Sequence, residues 1–511
     1  MGLIRRCFGQ WWLPDDPKRK VGGVLGIDNV TGLRLELTDH LLTFGSFGEP
    51  VPVVFGAADG RQITLLEVGP TNGGHIVMAQ LRTVFEVGRP RVAMVGIQLP
   101  DAAAPVFHCL EVEMTGLTAF AGQSGLKSEY VARPDSSERT QFTMDWTDPL
   151  QTQLTEPLEA TLGLHWNIKG DFVPQLDADR RRYQASETVV VRVQTEAPQP
   201  WRAFLDPARA MQDLVTVATQ IPARIMSRTL SIIDHDHPIP YPVDLYFRGT
   251  TDVDDEPQAL DEENIIFTLD TIEFDFSTLI DRWFHLRQKI GLSIDVLLGL
   301  DYQPIGYYEV RLFNAAAAGE GFHAALFPDS TAVDPDEHDV LKKTVSRLLK
   351  GIGRGGARKT VEAALAPLQN ALRNKVIGLL EGVASAKQRQ WVMNQIGENR
   401  PGLNERYKAL AGTADPEAIN ELLTNVDIWA GWLRDARNAV GHVNTGQLQE
   451  KIPEKALYRL QYITRALLHL VLINQLGISA EIQRRLVHEQ HIWGFSAAQF
   501  REAVTEATRQ K

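Results

Sequence analysis

The chain has 511 residues, 44% hydrophobic and 23% charged, which supplies ample apolar material for packed cores and argues against wholesale disorder. At roughly 150 residues per domain it holds two to four units. A formal net charge of −12 argues against a polyanionic partner for the chain as a whole, and two cysteines, Cys7 and Cys109, argue against a disulfide framework or a cysteine-based zinc site.

Up to residue 275 the signals are mostly strand. The runs "RQITLLEV", "RVAMVGIQL", "FHCLEVEMTGL", "RTQFTMDW", "ATLGLHW", "ETVVVRVQ", "TLSIID", "VDLYFRG" and "NIIFTLDTIEF" are short and rich in Val, Ile, Thr and aromatics. Gly, Pro, Asp and Asn separate them, and several alternate apolar with polar, as half-buried antiparallel strands do. One helix interrupts them, "DPARAMQDLVTVATQ", with Asp206 as N-cap and Pro207 in its first turn. After residue 275 the periodicity becomes helical. "STLIDRWFHLRQKI" opens with Ser277 as N-cap, and the Ala-rich stretch 307–327 suits a helix despite Gly319 and Gly321. "VEAALAPLQNALRNKVIGLLEGV", "EAINELLTNVDIWAGWLRDARNAV" and "EKALYRLQYITRALLHLVLINQL" are longer helix candidates. The expected fold is α+β: a strand-rich region over 1–275, with a subdomain boundary near 200, followed by an all-α bundle over 276–511.

The charge divides along the same line. From residue 341 onward there are 25 Lys and Arg against 15 Asp and Glu, leaving 27 against 49 before it. That asymmetry points to a C-terminal part that handles a polyanion, the alternative being two domains of different surface composition. The opening "MGLIRRCFGQWWLP" lacks the apolar core of a signal peptide, and Arg6 stands where a myristoylation pattern needs Ser or Thr. The apolar run 466–478 is too short to cross a bilayer and contains His469, Asn474 and Gln475. A cytoplasmic protein without a membrane partner is expected.

Two motifs fail on chemistry. "GIGRGGARKT" places Ala357 and Arg358 between its last glycine and Lys359, and a helix precedes it, so it is not a phosphate-binding loop. It reads as a solvated basic loop, with contact to RNA phosphates through Arg354, Arg358 and Lys359 as the second reading. "DHDHP" offers Asp234, His235, Asp236 and His237, but no other dense cluster completes a metal site, and a polar strand end is the simpler reading.

The stretch "RDARNAVGHVNTG" (434–446) carries the chemistry. The helix before it aligns Val426, Trp429, Leu433, Ala436 and Val440 as a core-facing stripe. Asp435, Asn438 and His442 form a separate polar stripe, so His442 does not belong to the core face. Arg437 precedes His442 by five residues, about 140° around an ideal helix, so the two side chains diverge on one copy. Two copies meeting across a twofold axis bring them into a shared cleft. The helix C-terminus favours a protonated imidazole. Histidine suits proton transfer to or from a ribose oxygen, and arginine suits the charge on phosphorus, with no metal or cofactor required. Asn438 is placed to orient the imidazole or bond a phosphate oxygen.

"RNAVGH" resembles the Arg-x4-His motif of HEPN-domain ribonucleases, including the polar residue after the arginine. It sits at the end of a long amphipathic helix, followed by a loop and another long helix (454–476). "GQWWLPDDPKRKVGGVLGIDNVTGLRLEL" resembles the opening of ApeA-type HEPN proteins of bacterial anti-phage defence. "DPARAMQDLVTVAT" and "STLIDRWF" resemble their middle section, and "AAAAGEGFHAALF" is similar to the helix that opens their HEPN region. The resemblance implies an abortive-infection endoribonuclease that dimerises through its HEPN domain and cuts host RNA, with tRNA as an expected target. It implies Arg437 and His442 as the catalytic pair and Asn438 as the motif's polar residue. Arg434 is a further expected RNA contact. Glu320 and His323, at i and i+3 on the preceding helix, either approach the cleft or form a surface polar pair. The acidic N-terminal region is expected to regulate, or to receive a phage-derived trigger. Two alternatives stay open: a non-catalytic RNA-binding or dimerisation module, and a toxin controlled by a separate antitoxin.

Overall fold

The structure is a computed structural model that describes the chain except residues 1–2, 29–31, 43–47, 71–77, 80–81, 84–85, 133–137, 145–146, 178–179, 235–236, 250–264, 304–305, 352–398, 442–451, 489–491 and 510–511. It divides into two compact units. One comprises Met1–Leu286 with Gln475–Ile482, the other Arg287–Asn474 with Gln483–Lys511.

The first unit is strand-rich. Its described strands are β1 Leu3–Trp12, β2 Val21–Asp28, β3 Gly32–Leu37, β4 Val51–Ala58, β5 Arg61–Pro70, β6 Met78–Ala79, β7 Arg82–Thr83, β8 Glu86–Arg89, β9 Val92–Val95, β10 Phe107–Met114, β11 Leu126–Ala132, β12 Glu138–Met144, β13 Leu150–Leu154, β14 Ala160–Asp177, β15 Arg180–Gln199, β16 Ile225–Asp234 and β17 His237–Phe247. Thirteen form one sheet in the order β13-β14-β15-β10-β16-β17-β9-β5-β4-β1-β2-β3-β8. The end strand β8 also pairs with β5, through Gly69↔Arg89 and Pro70↔Gly88, so six strands close into a barrel. Alternate residues of these strands point inward. Trp11, Leu25, Leu35, Val54, Leu65 and Val68 are fully buried inside the barrel core.

The rest of the sheet is open. Leu110, Val112, Leu162, Leu164, Val191 and Val193 alternate into one face and are buried. Helices α1 (Leu117–Ala121) and α2 (Leu205–Thr219) both pack against β15. The opposite parity is ionic: Glu111 faces Arg192 across strands, with Nε to Oε1 at 2.8 Å, and Arg61 bonds Asp244 at 2.7 Å.

Three local expectations are corrected here. Asp206 does not cap α2, because a 3-10 turn over Trp201–Phe204 runs straight into the helix and Asp206 falls within its first turn. Helix α3 (Phe276–Ile290) is capped by Asp275, whose Oδ1 accepts from the Thr278 amide at 2.8 Å, while the Ser277 hydroxyl pairs with Thr152 instead. The described part of "NIIFTLDTIEF" is not a strand. The Ile266 amide donates to the Ala218 carbonyl (2.7 Å) and the Leu269 amide to the Phe120 carbonyl (2.9 Å), so the segment satisfies the ends of α2 and α1 while burying Ile266 and Phe267. Asp234 pairs in register with His237, and His235 and Asp236 lie outside the described residues. Among the described residues no group of three His, Cys, Asp or Glu could hold a metal. No described helix is long and apolar enough to cross a membrane.

The second unit is helical. It holds the end of α3, then α4 Leu292–Tyr302, α5 Tyr308–Leu326, α6 Pro335–Gly351, α7 Leu403–Ala411, α8 Pro416–Leu423, α9 Val426–Gly441, α10 Glu454–Leu476, α11 Ala480–His488 and α12 Ile492–Arg509. The candidate "VEAALAPLQNALRNKVIGLLEGV" lies outside the described residues. The single helix expected over 416–441 is two. Thr424, at φ 59°, ends α8, and Asn425 starts α9 by accepting from the Ile428 amide at 3.0 Å. Gly321 of α5 has a packing cause: a Cβ there would stand 1.8 Å from the Ser293 hydroxyl of α4. Helix α10 runs through the core, and Leu460, Ile463, Leu467, Leu470 and Val471 are fully buried. Its polar residues are paired there. Asp301 faces Arg465 at 2.7 Å and His469 at 3.1 Å, and Arg311 donates to Gln461 at 2.8 Å. Burial pushes the Asp301 carboxyl up, but the charges of His469 and Arg465 together hold it below the usual carboxylate range.

Candidate active site

Helix α9 is held on three sides before it reaches its last turn. Trp429 lies edge-on to Tyr407 of α7, with ring centres 5.9 Å apart, and its indole N–H donates to Thr464 of α10 at 3.2 Å. Trp432 meets Phe500 of α12 edge-on at 5.7 Å. The buried stripe is Trp429, Ala430, Trp432, Leu433, Ala436 and Ala439, with Val426 and Val440 only half-buried at its margins. The expected stripe is therefore turned towards Trp432 and Ala439, with α12 packed at Trp432.

This anchoring delivers Arg437 onto α5. The Arg437 Nε donates to Glu320 Oε1 at 2.8 Å, and the guanidinium carbon lies 5.9 Å from the centre of the Phe313 ring. Its terminal nitrogens make no hydrogen bond among the described residues. Phe313 and Glu320 are seven residues apart on α5, two turns along one face. Gly441, the last residue of α9, lies beside both groups: a Cβ there would make ordinary contacts, 3.5 Å from the Phe313 ring and 3.9 Å from the Arg437 guanidinium. Tyr407 completes the surroundings. Burial pushes its hydroxyl well above the tyrosine range, the Glu320 charge adds to that, and Arg437 opposes it.

The remaining sequence-derived candidates fall as follows. Glu320 joins Arg437. His323 does not: it is buried, stacked on Phe327 at 5.0 Å, and burial pulls its pKa down, aided by Arg406. Neither residue of that pair is the surface pair weighed above. Asn438 is half-buried next to Arg437, and Arg434 bonds its neighbour Asp435 at 2.9 Å. His442, Arg354, Arg358 and Lys359 lie outside the described residues. Phe313 and Tyr407 were not singled out from the sequence. The one signal was the placement of Phe313 on the same face as Glu320.

A family model described as ApeA N-terminal domain 1 matches residues 6–283, and one described as Apea-like HEPN matches residues 313–482. The chain belongs to the ApeA-like HEPN family. The HEPN match opens at Phe313 and takes in Glu320, Arg437 and His442, and the N-terminal match takes in the barrel and the open sheet. Membership associates the chain with anti-phage defence and with HEPN nucleases. No curated protein and no solved structure gives a match.

Proposed function

We propose that this ApeA-like HEPN protein is an endoribonuclease of anti-phage defence, acting through Arg437 and His442 at a cleft shared by two copies of α9. The observation that carries the reading is the guanidinium of Arg437, fixed through Nε by Glu320, with its two terminal nitrogens making no hydrogen bond among the described residues. In this reading one His442 takes the proton from a ribose 2′-hydroxyl. The 2′-oxygen attacks phosphorus and the bond to the 5′-oxygen breaks. The His442 of the second copy returns a proton to that leaving oxygen, giving a 2′,3′-cyclic phosphate and a 5′-hydroxyl. Arg437 meets the charge that builds on the phosphate, Asn438 orients the imidazole, and Glu320 is a positioning residue. Host RNA, tRNA in particular, is the substrate, cut when the acidic N-terminal unit receives a phage-derived trigger.

The Glu320 ion pair also favours a second reading, in which Arg437 only joins α5 to α9 and the protein binds RNA without cutting it. Incubating the full chain with total RNA in EDTA separates the two. Discrete fragments that disappear in His442→Ala and Arg437→Ala, with circular dichroism and solution mass unchanged, support the nuclease. Cleavage that survives His442→Ala overturns it.

A further inference from the structure

The outward side of α10 carries a cluster that the cleavage chemistry does not use. Lys455, Tyr458, Arg459 and Tyr462 follow at helical spacings and share one side of its first nine residues, while the rest of the helix is mostly buried. Tyr458 is 48% exposed, and Phe495 of α12 is 59% exposed. The Arg459 guanidinium lies 5.2 Å from the centre of the Tyr458 ring and 5.5 Å from that of Phe495. The Tyr458 and Tyr462 rings are 5.7 Å apart, with their hydroxyls 3.5 Å from each other.

Exposed rings with a planar cation between them match unpaired nucleobases, which stack on aromatic and guanidinium faces while cations meet the backbone. Paired RNA keeps its base faces covered, so it is the poorer fit. A second copy of the chain docking symmetrically on this face would bring Lys455 and Arg459 towards their own copies, like charge against like. The cluster also has a defined place relative to Arg437. Arg311 of α5 bonds Gln461, the residue before Tyr462, and two residues further along α5 the Phe313 ring carries the Arg437 guanidinium. Two residues is about 200° around a helix, so these two contacts are made from opposite faces of α5.

We propose that Tyr458, Arg459, Tyr462 and Phe495 form a stacking platform for the bases of a single-stranded RNA segment. The proposal rests on the endoribonuclease reading for its ligand, but its test does not require cleavage. Fluorescence anisotropy of the full chain is measured with a 2′-O-methyl oligouridylate of about 12 nucleotides, which has no free 2′-hydroxyl to react, and with an abasic strand of the same backbone. The double variant Tyr458→Ala/Phe495→Ala is expected to bind the oligouridylate roughly tenfold more weakly or worse, leave abasic-strand binding unchanged, and keep the solution mass of the parent. Tyr458→Phe, which keeps the ring, is expected to retain parental affinity. Unchanged oligouridylate affinity in the double variant overturns the platform. A lower solution mass with unchanged RNA affinity also overturns it and assigns the face to a second copy. If the intact chain cuts RNA while the double variant binds like the parent, only the platform falls. If ring-dependent binding is seen but nothing is cut, the platform stands and the nuclease reading falls.

Discussion

The large sheet and the core of the helical bundle place charge in opposite ways. In the strand-rich unit, Glu111–Arg192 and Arg61–Asp244 pair on the ionic parity of the sheet, and each partner keeps about a third of its side chain in water. In the helical unit, Asp301, Arg465 and His469 pair almost out of water, and Asp301 and His469 are essentially buried. A sheet offers alternate positions to solvent, so its ion pairs are lateral and loosely held. A bundle must cross charges between helices, and each then depends on its partner. In the helical unit a guanidinium also stays half-open at a helix end, as Arg437 does.

The sharpest way to break this comparison is at the two arginines. Arg437→Ala is expected to lower RNA cleavage by about 100-fold or more, as loss of a charge-stabilising donor does. Arg192→Ala is expected to leave the cleavage rate of the intact chain unchanged, as followed by fragment gels. Next in size is Asp301→Asn. It removes the buried charge that faces His469 and Arg465 and is expected to cost about 3–5 kcal/mol in chemical denaturation. Its pH dependence has a fixed sign. A carboxyl held below its unfolded value stabilises the fold above about pH 3.9 and loses that contribution as pH falls through the lower folded value. Acid unfolding should therefore begin at higher pH in the parent than the intrinsic folded-state titration of Asp301, and the Asn variant should lose this acid-dependent component. Gly321→Ala drives a methyl into Ser293 and is expected to cost about 1–3 kcal/mol in thermal melts, relieved by adding Ser293→Gly. Smallest is Glu111→Gln in the sheet, expected to change stability by no more than about 1 kcal/mol. A large loss there would erase the contrast between the units.

The limits of α10 were legible because local chemistry sets both ends: Pro453 stands just before it and Gly477, at φ 84°, just after. The long helix α5 and most of the strands after residue 107 were legible for the same reason, their periodicity being local. The barrel was not. Its closure rests on pairing between β5 and β8 and on strands β1 to β4, whose glycines and short alternations carry little signal alone. The segment around Ile266 misled because an apolar run rich in Ile and Thr can serve a helix end as well as a sheet. At the candidate site, the sequence marks Arg437 and suggests Glu320, but the Phe313 contact depends on how α5 and α9 cross, which no single segment encodes.

Strand β5 serves two neighbours in turn. Ile63–Leu66 pair with β9, Gly69 and Pro70 pair with β8, and Glu67 between them takes a left-handed φ of 52°. The closed cylinder and the open layer thus share one staple of backbone. Neither can shed its hydrogen bonds along β5 without fraying the other, so amide exchange in the two should slow and quicken together as one cooperative block.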